Sequence, residues 1–445
     1  MPQLFGTDGI RGIANKFPVT AEMGLYLGKA MAKYLGDNAF LITGRDTRIS
    51  GPMLEYAVMS GIMSFGGDVS SAGIIPTPGL AYLIRRFDAD GGIMISASHN
   101  PFEYNGFKPF IKGGEKLSEE QEEQIEELIK EISNNKSKEG EIGQLKELKE
   151  DPLKCYKEFL LSILPKDISF NDMKIVIDCA NGATYKIAPS VFKELGVETQ
   201  VICAEPDGKN INERCGAVYP ERLKEEVLKR GADVGFAFDG DGDRVVAVDN
   251  TGNILTGDQL IAIFAKMLIQ TKELENPVVV TTVMSNMGLS KALNEMGITH
   301  ITTKVGDRNV VKEMKRCGAI LGGEESGHIV FLNHHTTGDG ILSALKLLSA
   351  IKILDSSLHE LSNIMHIFPQ VLINVGVKEK KEFSEIPQIR NVIEEIENAI
   401  SGKGRLLLRY SGTEPVCRIM IEGEDKEEIS KYAQKLASVI KEKLG

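Results

Sequence analysis

Three aspartates, Asp239, Asp241 and Asp243, alternate with Gly240 and Gly242 and are followed by Arg244. An apolar run over residues 234–238 precedes them. Glycines between the acids let the backbone turn so that the three carboxylates converge. Converging carboxylates repel and raise one another's pKa unless something neutralises them, and hard oxygen donors suit Mg²⁺ or Ca²⁺. An EF-hand loop is excluded, because Arg244 stands where that loop needs Gly and Asn250 where it needs Glu. A solvated acidic turn is the competing reading. The preceding strand and the regular spacing favour a metal site.

Four other runs carry groups able to do chemistry. Ser96-Ala97-Ser98-His99-Asn100-Pro101 follows a β-prone stretch and is stopped by proline. Ser98 beside His99 is a candidate nucleophile with a neighbouring base, although taken alone the run reads as a polar loop cap. No Gly-x-Ser-x-Gly elbow occurs, which argues against a serine hydrolase. Asn105-Gly106-Phe107-Lys108 adds a lysine just downstream. Arg409-Tyr410-Ser411-Gly412-Thr413-Glu414-Pro415, with Arg418, has the parts of a phosphate cradle: guanidinium groups grip phosphate bidentately, and loop N–H groups form an anion nest. Gly322-Gly323-Glu324-Glu325-Ser326-Gly327-His328 has acidic, hydroxyl and imidazole groups that suit sugar hydroxyls, although on its own it reads equally as an ordinary turn. Phe5-Gly6-Thr7-Asp8-Gly9-Ile10-Arg11-Gly12 is a glycine-rich start with an arginine. Gly44-Arg45-Asp46-Thr47-Arg48 reads as a salt-bridged structural loop, and His334-His335 as a polar turn.

The elements that must position these groups alternate in type. Strands are predicted at residues 40–43, 92–96, 174–178, 234–238 and 278–282, with helices at 53–64, 220–230 and 289–296. Such alternation implies βαβ units. A helix-like run ending in Gly before a β-prone stretch recurs at Gly66, Gly196 and Gly297, which suits a left-handed helix cap and suggests three related domains. Residues 118–132 are predicted as an exposed helix, with Ser118 and Gln121 as a capping box and a polar loop over 133–140. The predicted class is α/β: three related α/β domains with mixed, mainly parallel sheets, plus a smaller C-terminal α+β domain. The expected boundaries are 1–150, 151–254, 255–367 and 368–445. Within the last, strands are predicted at 404–408 and 417–422 and a helix at 426–444.

Composition sets limits. The 445 residues exceed what one core supports. A net charge of −11 argues against a general nucleic-acid binder, which needs a basic face. The most apolar stretch, residues 260–269, is broken by Lys266 and is too short to span a membrane. No signal-peptide pattern is visible at the start. The six cysteines form no Cys-x-x-Cys pair, so neither a zinc site nor a redox motif is expected, and free thiols in a cytoplasmic protein are.

Taken in order, residues 7–12, 96–101, 239–244, 323–328 and 409–415 make the chain similar to the α-D-phosphohexomutase superfamily. The resemblance spans residue 5 to about residue 423. It implies four domains and a mutase that moves phosphate through a phosphoserine. Carried over, Ser98 is the phosphorylated serine. Asp239, Asp241 and Asp243 hold one Mg²⁺ together with a phosphoserine oxygen on Ser98. His99 and Lys108 are proton-transfer or charge-stabilising groups, and Arg11 and Arg244 support the phosphate. Glu324, Ser326 and His328 contact the sugar, while Arg409, Ser411, Gly412, Thr413 and Arg418 hold the non-reacting phosphate. The implied substrate is a hexose monophosphate. Residues 324–328, 336–340 and 305–308 look most like the bacterial branch acting on glucosamine phosphate, which implies glucosamine 1,6-bisphosphate or a similar sugar as priming intermediate. Mutases for mannose or glucose phosphate, or a metal-dependent sugar phosphatase, are the alternatives. No nucleic-acid or membrane partner is expected, and a homodimer is compatible with the resemblance.

Overall fold

A computed structural model describes residues 4–6, 8–134, 141–411 and 415–445. The chain divides into two compact units. The first comprises residues up to Ser285 together with Met296–Ile364; the second comprises Asn286–Glu295 and Met365–Gly445.

The first unit contains three sheets built on one plan. Sheet one holds β1 (Ile10–Ile13), β2 (Phe40–Arg45), β3 (Asp68–Ile74), β4 (Gly91–Ile95), β5 (Tyr104–Ile111) and β6 (Glu115–Lys116). Sheet two holds β7 (Lys174–Asp178), β8 (Glu198–Ile202), β9 (Val234–Phe238), β10 (Val245–Asp249) and β11 (Ile254–Leu255). Sheet three holds β12 (Val278–Thr282), β13 (Thr299–Thr303), β14 (Leu321–Gly323) and β15 (Ile329–Phe331). Each contains the same four-strand path: β3-β2-β4-β5, β8-β7-β9-β10 and β13-β12-β14-β15. The first three strands of each path are parallel, and the fourth is antiparallel. β4 and β9 are buried along their whole length, as expected for central strands covered on both faces.

The switch in direction has a simple cause. A parallel neighbour requires a crossover of a dozen or more residues, whereas an antiparallel one needs only a short turn. The connections from β4 to β5, β9 to β10 and β14 to β15 are short: residues 96–103, 239–244 and 324–328. These three turns carry the serine, aspartate and Glu-x-Ser-Gly-His runs, so all three runs occupy the same topological position. The recurring glycine is equally regular. Gly66, Gly196 and Gly297 each stand between a helix and the edge strand that follows, with φ of 81°, 72° and 74°. The α/β class with repeated mixed sheets is therefore the observed one.

The helix Glu119–Asn134 starts as the sequence predicts. Ser118 N–H donates to Gln121 Oε1 at 2.9 Å, and Gln121 N–H donates to Ser118 Oγ at 3.3 Å. It runs through 133–134, where a loop was expected; residues 135–140 lie outside those described.

In the second unit β16 (Gln370–Gly376), β17 (Gly404–Tyr410) and β18 (Val416–Gly423) form an antiparallel sheet in the order β16-β18-β17. Helices Pro387–Ala399 and Lys426–Leu444 contribute Ile389, Ile396, Leu436 and Ile440 to a core shared with Ile419 and Ile421. The stretch Asn286–Glu295 joins this unit despite its distance in sequence. Asn286 Nδ2 donates to the Phe368 carbonyl at 2.9 Å, and Met287 N–H donates to Glu422 Oε1 at 2.9 Å. Sequence spacing carries no sign of that excursion.

The expected turn runs through His334, but the His335 ring that follows it faces the protein interior rather than solvent. His335 is buried, its Nε2 lies 2.9 Å from the Pro78 carbonyl, and its Nδ1 accepts the Thr336 N–H at 2.9 Å. Both nitrogens are thus committed in the neutral ring, and burial followed by Arg85 pushes the pKa down to about 3. A folded pKa below the unfolded value means that the unfolded chain binds the proton first, so stability is full above about pH 6.5 and is lost as pH falls toward 3. Between pH 7 and pH 4 the wild-type protein should lose on the order of 3 kcal/mol more unfolding free energy than His335→Gln, read from denaturant unfolding at each pH. Parallel pH curves for the two proteins would show that His335 does not titrate in this way.

Candidate active site

Ser98 is fully buried and holds a left-handed backbone, φ 52°, uncommon for a residue with a side chain. Its surroundings over-determine that conformation. Ser98 N–H donates to Ser96 Oγ at 2.9 Å. Its carbonyl accepts from Arg48 Nη2 and from Asn212 Nδ2, both at 2.9 Å. The same two side chains reach the Asn100 carbonyl, at 2.8 and 3.1 Å, and Arg48 also donates to the Pro101 carbonyl. Arg48 is itself anchored by Asp46 Oδ2 at 2.9 Å, both side chains being fully buried. The run 44–48 is therefore the salt-bridged loop expected, and it is also the clamp on the serine turn.

The serine turn meets the aspartate turn. Ser98 Oγ donates to Asp239 Oδ2 at 2.5 Å and lies 3.4 Å from His99 Nδ1. Burial, then Arg244 and Arg11, push His99 down to about 4, so its ring is neutral at pH 7. Oxygens of Asp239, Asp241 and Asp243 lie within 4.8 Å of one another, and all three residues are buried. Burial, then Asp243 and Asp241, push the Asp239 carboxyl well above the carboxylate range. Lys108 Nζ stands against the other two, 2.7 Å from Asp241 Oδ2 and 3.4 Å from Asp243 Oδ2, and 2.9 Å from Asp8 Oδ2. Burial alone would lower the Lys108 ammonium, but Asp241, Asp8 and Asp243 outweigh it and raise its pKa. Lys108 is therefore a fixed cation.

The acids fit a divalent ion on a structural observation. Asp241 Oδ1 and Asp243 Oδ1 are buried without a hydrogen-bond partner, a costly state for a carboxylate oxygen. Asp241 Oδ2, by contrast, is engaged by Lys108 and by Thr77 Oγ1 at 2.5 Å. Asp241 and Asp243 thus each turn one oxygen toward the protein and leave the other for a cation, while Asp239 accepts from Ser98 Oγ and from the Arg244 N–H.

Around this centre the structure adds Lys116, which the sequence did not single out, and links it to groups from the other runs. Asp8 joins Lys108, Lys116 (2.6 Å) and Arg11, and Lys116 also pairs with Asp307. Arg11 Nη1 donates to Asn100 Oδ1 at 3.3 Å, beside the serine turn. His328 is buried between Asp307 and Asp243, with Nε2 3.4 Å from Asp307 Oδ2 and Nδ1 3.7 Å from Asp243 Oδ2. Glu324 Oε1 accepts the Gly306 N–H at 3.0 Å, and exposed Ser326 lies 3.4 Å from Glu324 Oε2. Arg244 Nε is 3.8 Å from Asp243 Oδ1. A cavity of about 130 Å³ is lined by Asp8, Asp243, Arg244, Val305, Gly306, Asp307, Glu324 and His328. The structure thus brings Ser98, His99, Lys108, Arg11, Arg244, the three aspartates, Glu324 and His328 to one region, with Ser326 at its rim.

In the second unit Arg409 and Arg418 are directly paired across β17 and β18, so both project from the same face of the sheet. Burial and then Arg418 lower the Arg409 pKa. Lys380 Nζ donates to the Ser411 carbonyl at 2.6 Å, adding a third cation that the sequence did not mark. Like charges placed opposite one another cost stability, and an anion would relieve it. Gly412 and Thr413 lie outside the described residues.

The Arg48 clamp can be tested without reference to function. Arg48→Met removes the partner of buried Asp46 and three carbonyl contacts, and should cost about 3–5 kcal/mol in denaturant unfolding. A loss below about 1 kcal/mol would show that the serine turn holds its shape without it.

Comparison with known proteins agrees with this arrangement. Family profiles for phosphoglucomutase/phosphomannomutase match all along the chain: α/β/α domain I at residues 2–136, domain II at 155–252, domain III at 256–368 and the C-terminal domain at 372–439. The chain is 50% identical to a phosphoglucosamine mutase of Syntrophus aciditrophicus, with all of both chains covered. It is 48% identical to one of Desulforamulus reducens, with 99% of each covered. Among solved structures it is similar to a phosphoglucomutase/phosphomannomutase family protein of Burkholderia thailandensis, with TM-score 0.80 at 24% identity over 98% of this chain and 97% of that one. It is also similar to Aspergillus fumigatus N-acetylphosphoglucosamine mutase, solved with GlcNAc-6P and magnesium, with TM-score 0.70 at 17% identity over 99% and 96%. With a serine turn, an aspartate turn and a Glu-x-Ser-Gly-His turn at equivalent places in three repeated sheets, and relatives matched from end to end, the chain belongs to the phosphoglucomutase/phosphomannomutase family of the α-D-phosphohexomutase superfamily.

Proposed function

We propose that the chain interconverts glucosamine 6-phosphate and glucosamine 1-phosphate through phosphorylated Ser98 and a bisphosphorylated sugar. The observation that carries this reading is the contact between Ser98 Oγ and Asp239, beside two acids with unpartnered oxygens. Full-length relatives 46–50% identical and named phosphoglucosamine mutase support the choice of sugar.

In the first transfer a sugar hydroxyl attacks phosphorus, the bond from phosphorus to Ser98 Oγ breaks, and the hydroxyl proton ends on Oγ. The sugar bisphosphate then presents its other phosphate, Oγ attacks that phosphorus, and the proton returns to the sugar oxygen released. A divalent ion held by Asp239, Asp241 and Asp243, most simply Mg²⁺, would supply positive charge at the phosphoryl group. Neutral His99 beside Oγ carries the proton in both directions. Lys108 and Arg11 stay charged and stabilise the developing negative charge. Arg244 lies on the cavity wall next to Asp243 and steadies the phosphate entering there. Glu324, Ser326 and His328 orient the sugar. Arg409, Ser411, Gly412, Thr413 and Arg418 hold a phosphate that does not react, with Lys380 assisting. On this reading the serine, metal, sugar and phosphate functions fall in residues 1–150, 151–254, 255–367 and 368–445 respectively. No helix among the described residues is long and apolar enough to cross a membrane, and we place the enzyme in the cytoplasm.

Turnover of glucosamine 6-phosphate should exceed that of mannose 1-phosphate and glucose 1-phosphate, and intact mass should show one added phosphate mapping to Ser98. Ser98→Ala should lose activity by about 10³-fold or more. Preferred turnover of mannose or glucose phosphate would overturn the sugar assignment, and an active Ser98→Ala enzyme the mechanism. Stripping divalent ions should abolish activity and added Mg²⁺ should restore it; full turnover in chelator would remove the aspartates from the chemistry.

A further inference from the structure

The cysteines looked scattered in sequence, but the fold collects some of them. Cys203 follows β8, and Cys215 ends the loop that begins after it. Asp178 closes β7, the neighbouring strand. An oxygen of Asp178 and the sulfurs of Cys203 and Cys215 all lie within 4.8 Å of one another. This group is separate from the Asp239, Asp241 and Asp243 cluster, and its chemistry differs. Two sulfurs with one carboxylate form a borderline-soft donor set, suited to zinc-class ions rather than Mg²⁺.

We propose that Asp178, Cys203 and Cys215 form a second metal site, for a zinc-class divalent ion. Zn–S bonds of about 2.3 Å and Zn–O bonds of about 2.0–2.2 Å place tetrahedral ligands roughly 3.4–3.8 Å apart, so a small closure of the present triangle suffices. The carboxylate is already oriented: Asp178 Oδ1 accepts the Ala180 N–H at 2.8 Å, and Oδ2 accepts the Gly216 N–H at 3.0 Å. Second-shell support of that kind fixes a metal ligand. Asp178 and Cys215 are buried whereas Cys203 is partly exposed, which gives an ion a side from which to enter.

The site backs onto the serine turn. The loop between the two cysteines contains Asn212, whose side chain holds the Ser98 and Asn100 carbonyls and whose N–H donates to the Ala180 carbonyl at 2.9 Å. The Asn181 N–H donates to the Cys203 carbonyl at 2.6 Å. A bound ion therefore staples the segment that carries the Asn212 half of the clamp.

The test uses reduced, metal-stripped full-length protein in excess Mg²⁺, which occupies the oxygen-only aspartate cluster. Titrated Co²⁺ should give a thiolate-to-cobalt charge-transfer band saturating at one equivalent, and Zn²⁺ should bleach it. Cys203→Ser should weaken the Co²⁺ affinity at least tenfold, while Cys155→Ser, a cysteine in the distant helix Pro152–Ser162, should leave it unchanged. Without any variant, Zn²⁺ should slow alkylation of Cys203 and raise the melting temperature of the wild-type protein. Absence of the band, a band unaffected by Cys203→Ser, or an alkylation rate indifferent to Zn²⁺ would each overturn the site.

Discussion

The centre of the molecule depends on one electrostatic constraint. Asp239, Asp241, Asp243 and Asp307 are buried, with partly exposed Asp8 beside them. Charges of one sign cannot be gathered in a low-dielectric interior without partners. Lys108, Lys116, Arg11 and Arg244 are those partners. The balance is uneven by design of the chain: Asp8 and Asp307 have close cationic partners, whereas Asp241 and Asp243 each retain an unpartnered oxygen. That residue of negative potential can hold a divalent ion, and the fixed cations around it can hold a phosphoryl group.

The repeated sheets explain why such a centre can be assembled. Each sheet delivers one short turn at the end of its third strand, because a short connection forces the next strand to run back antiparallel. Ligand loops at the carboxyl ends of sheet strands are a general feature of α/β folds. Here three copies of that feature are brought together in one unit, so serine, acids and sugar-facing groups come from equivalent places. The turns differ in sequence because each has a different task, while the glycines that shape the approach to the edge strands stay the same.

Rigidity is concentrated at the serine turn. A left-handed Ser98 is retained only because Arg48, Asn212 and Ser96 together fix it. Such a frame keeps Oγ at hydrogen-bond distance from Asp239, and positioning of that quality is a large part of what phosphoryl transfer needs. The second unit has a different character: Arg409 and Arg418 face one another across an antiparallel pair, an arrangement suited to an anion that is gripped and released.

Much of this was legible in the residues. Alternating aspartates after an apolar strand, a serine-histidine run closed by proline, and recurrent helix-ending glycines are local patterns, and local patterns are set by backbone geometry over a few residues. They placed strands β2, β4, β7, β9 and β12, pointed to the repeated plan and marked the runs that form the three turns. What only tertiary structure decided is every partnership across long stretches of chain. Nothing in the local sequence marks Lys116, yet it pairs with Asp8 and Asp307. Arg48 and Asn212 meet at Ser98 from different sheets, Asn286–Glu295 leaves its sequence neighbours for another unit, and three residues from 178 to 215 converge on one point. The reason is physical: a side chain's neighbours in sequence are fixed by the covalent chain, whereas its neighbours in space follow from how the sheets bury their faces, which no short window of residues contains.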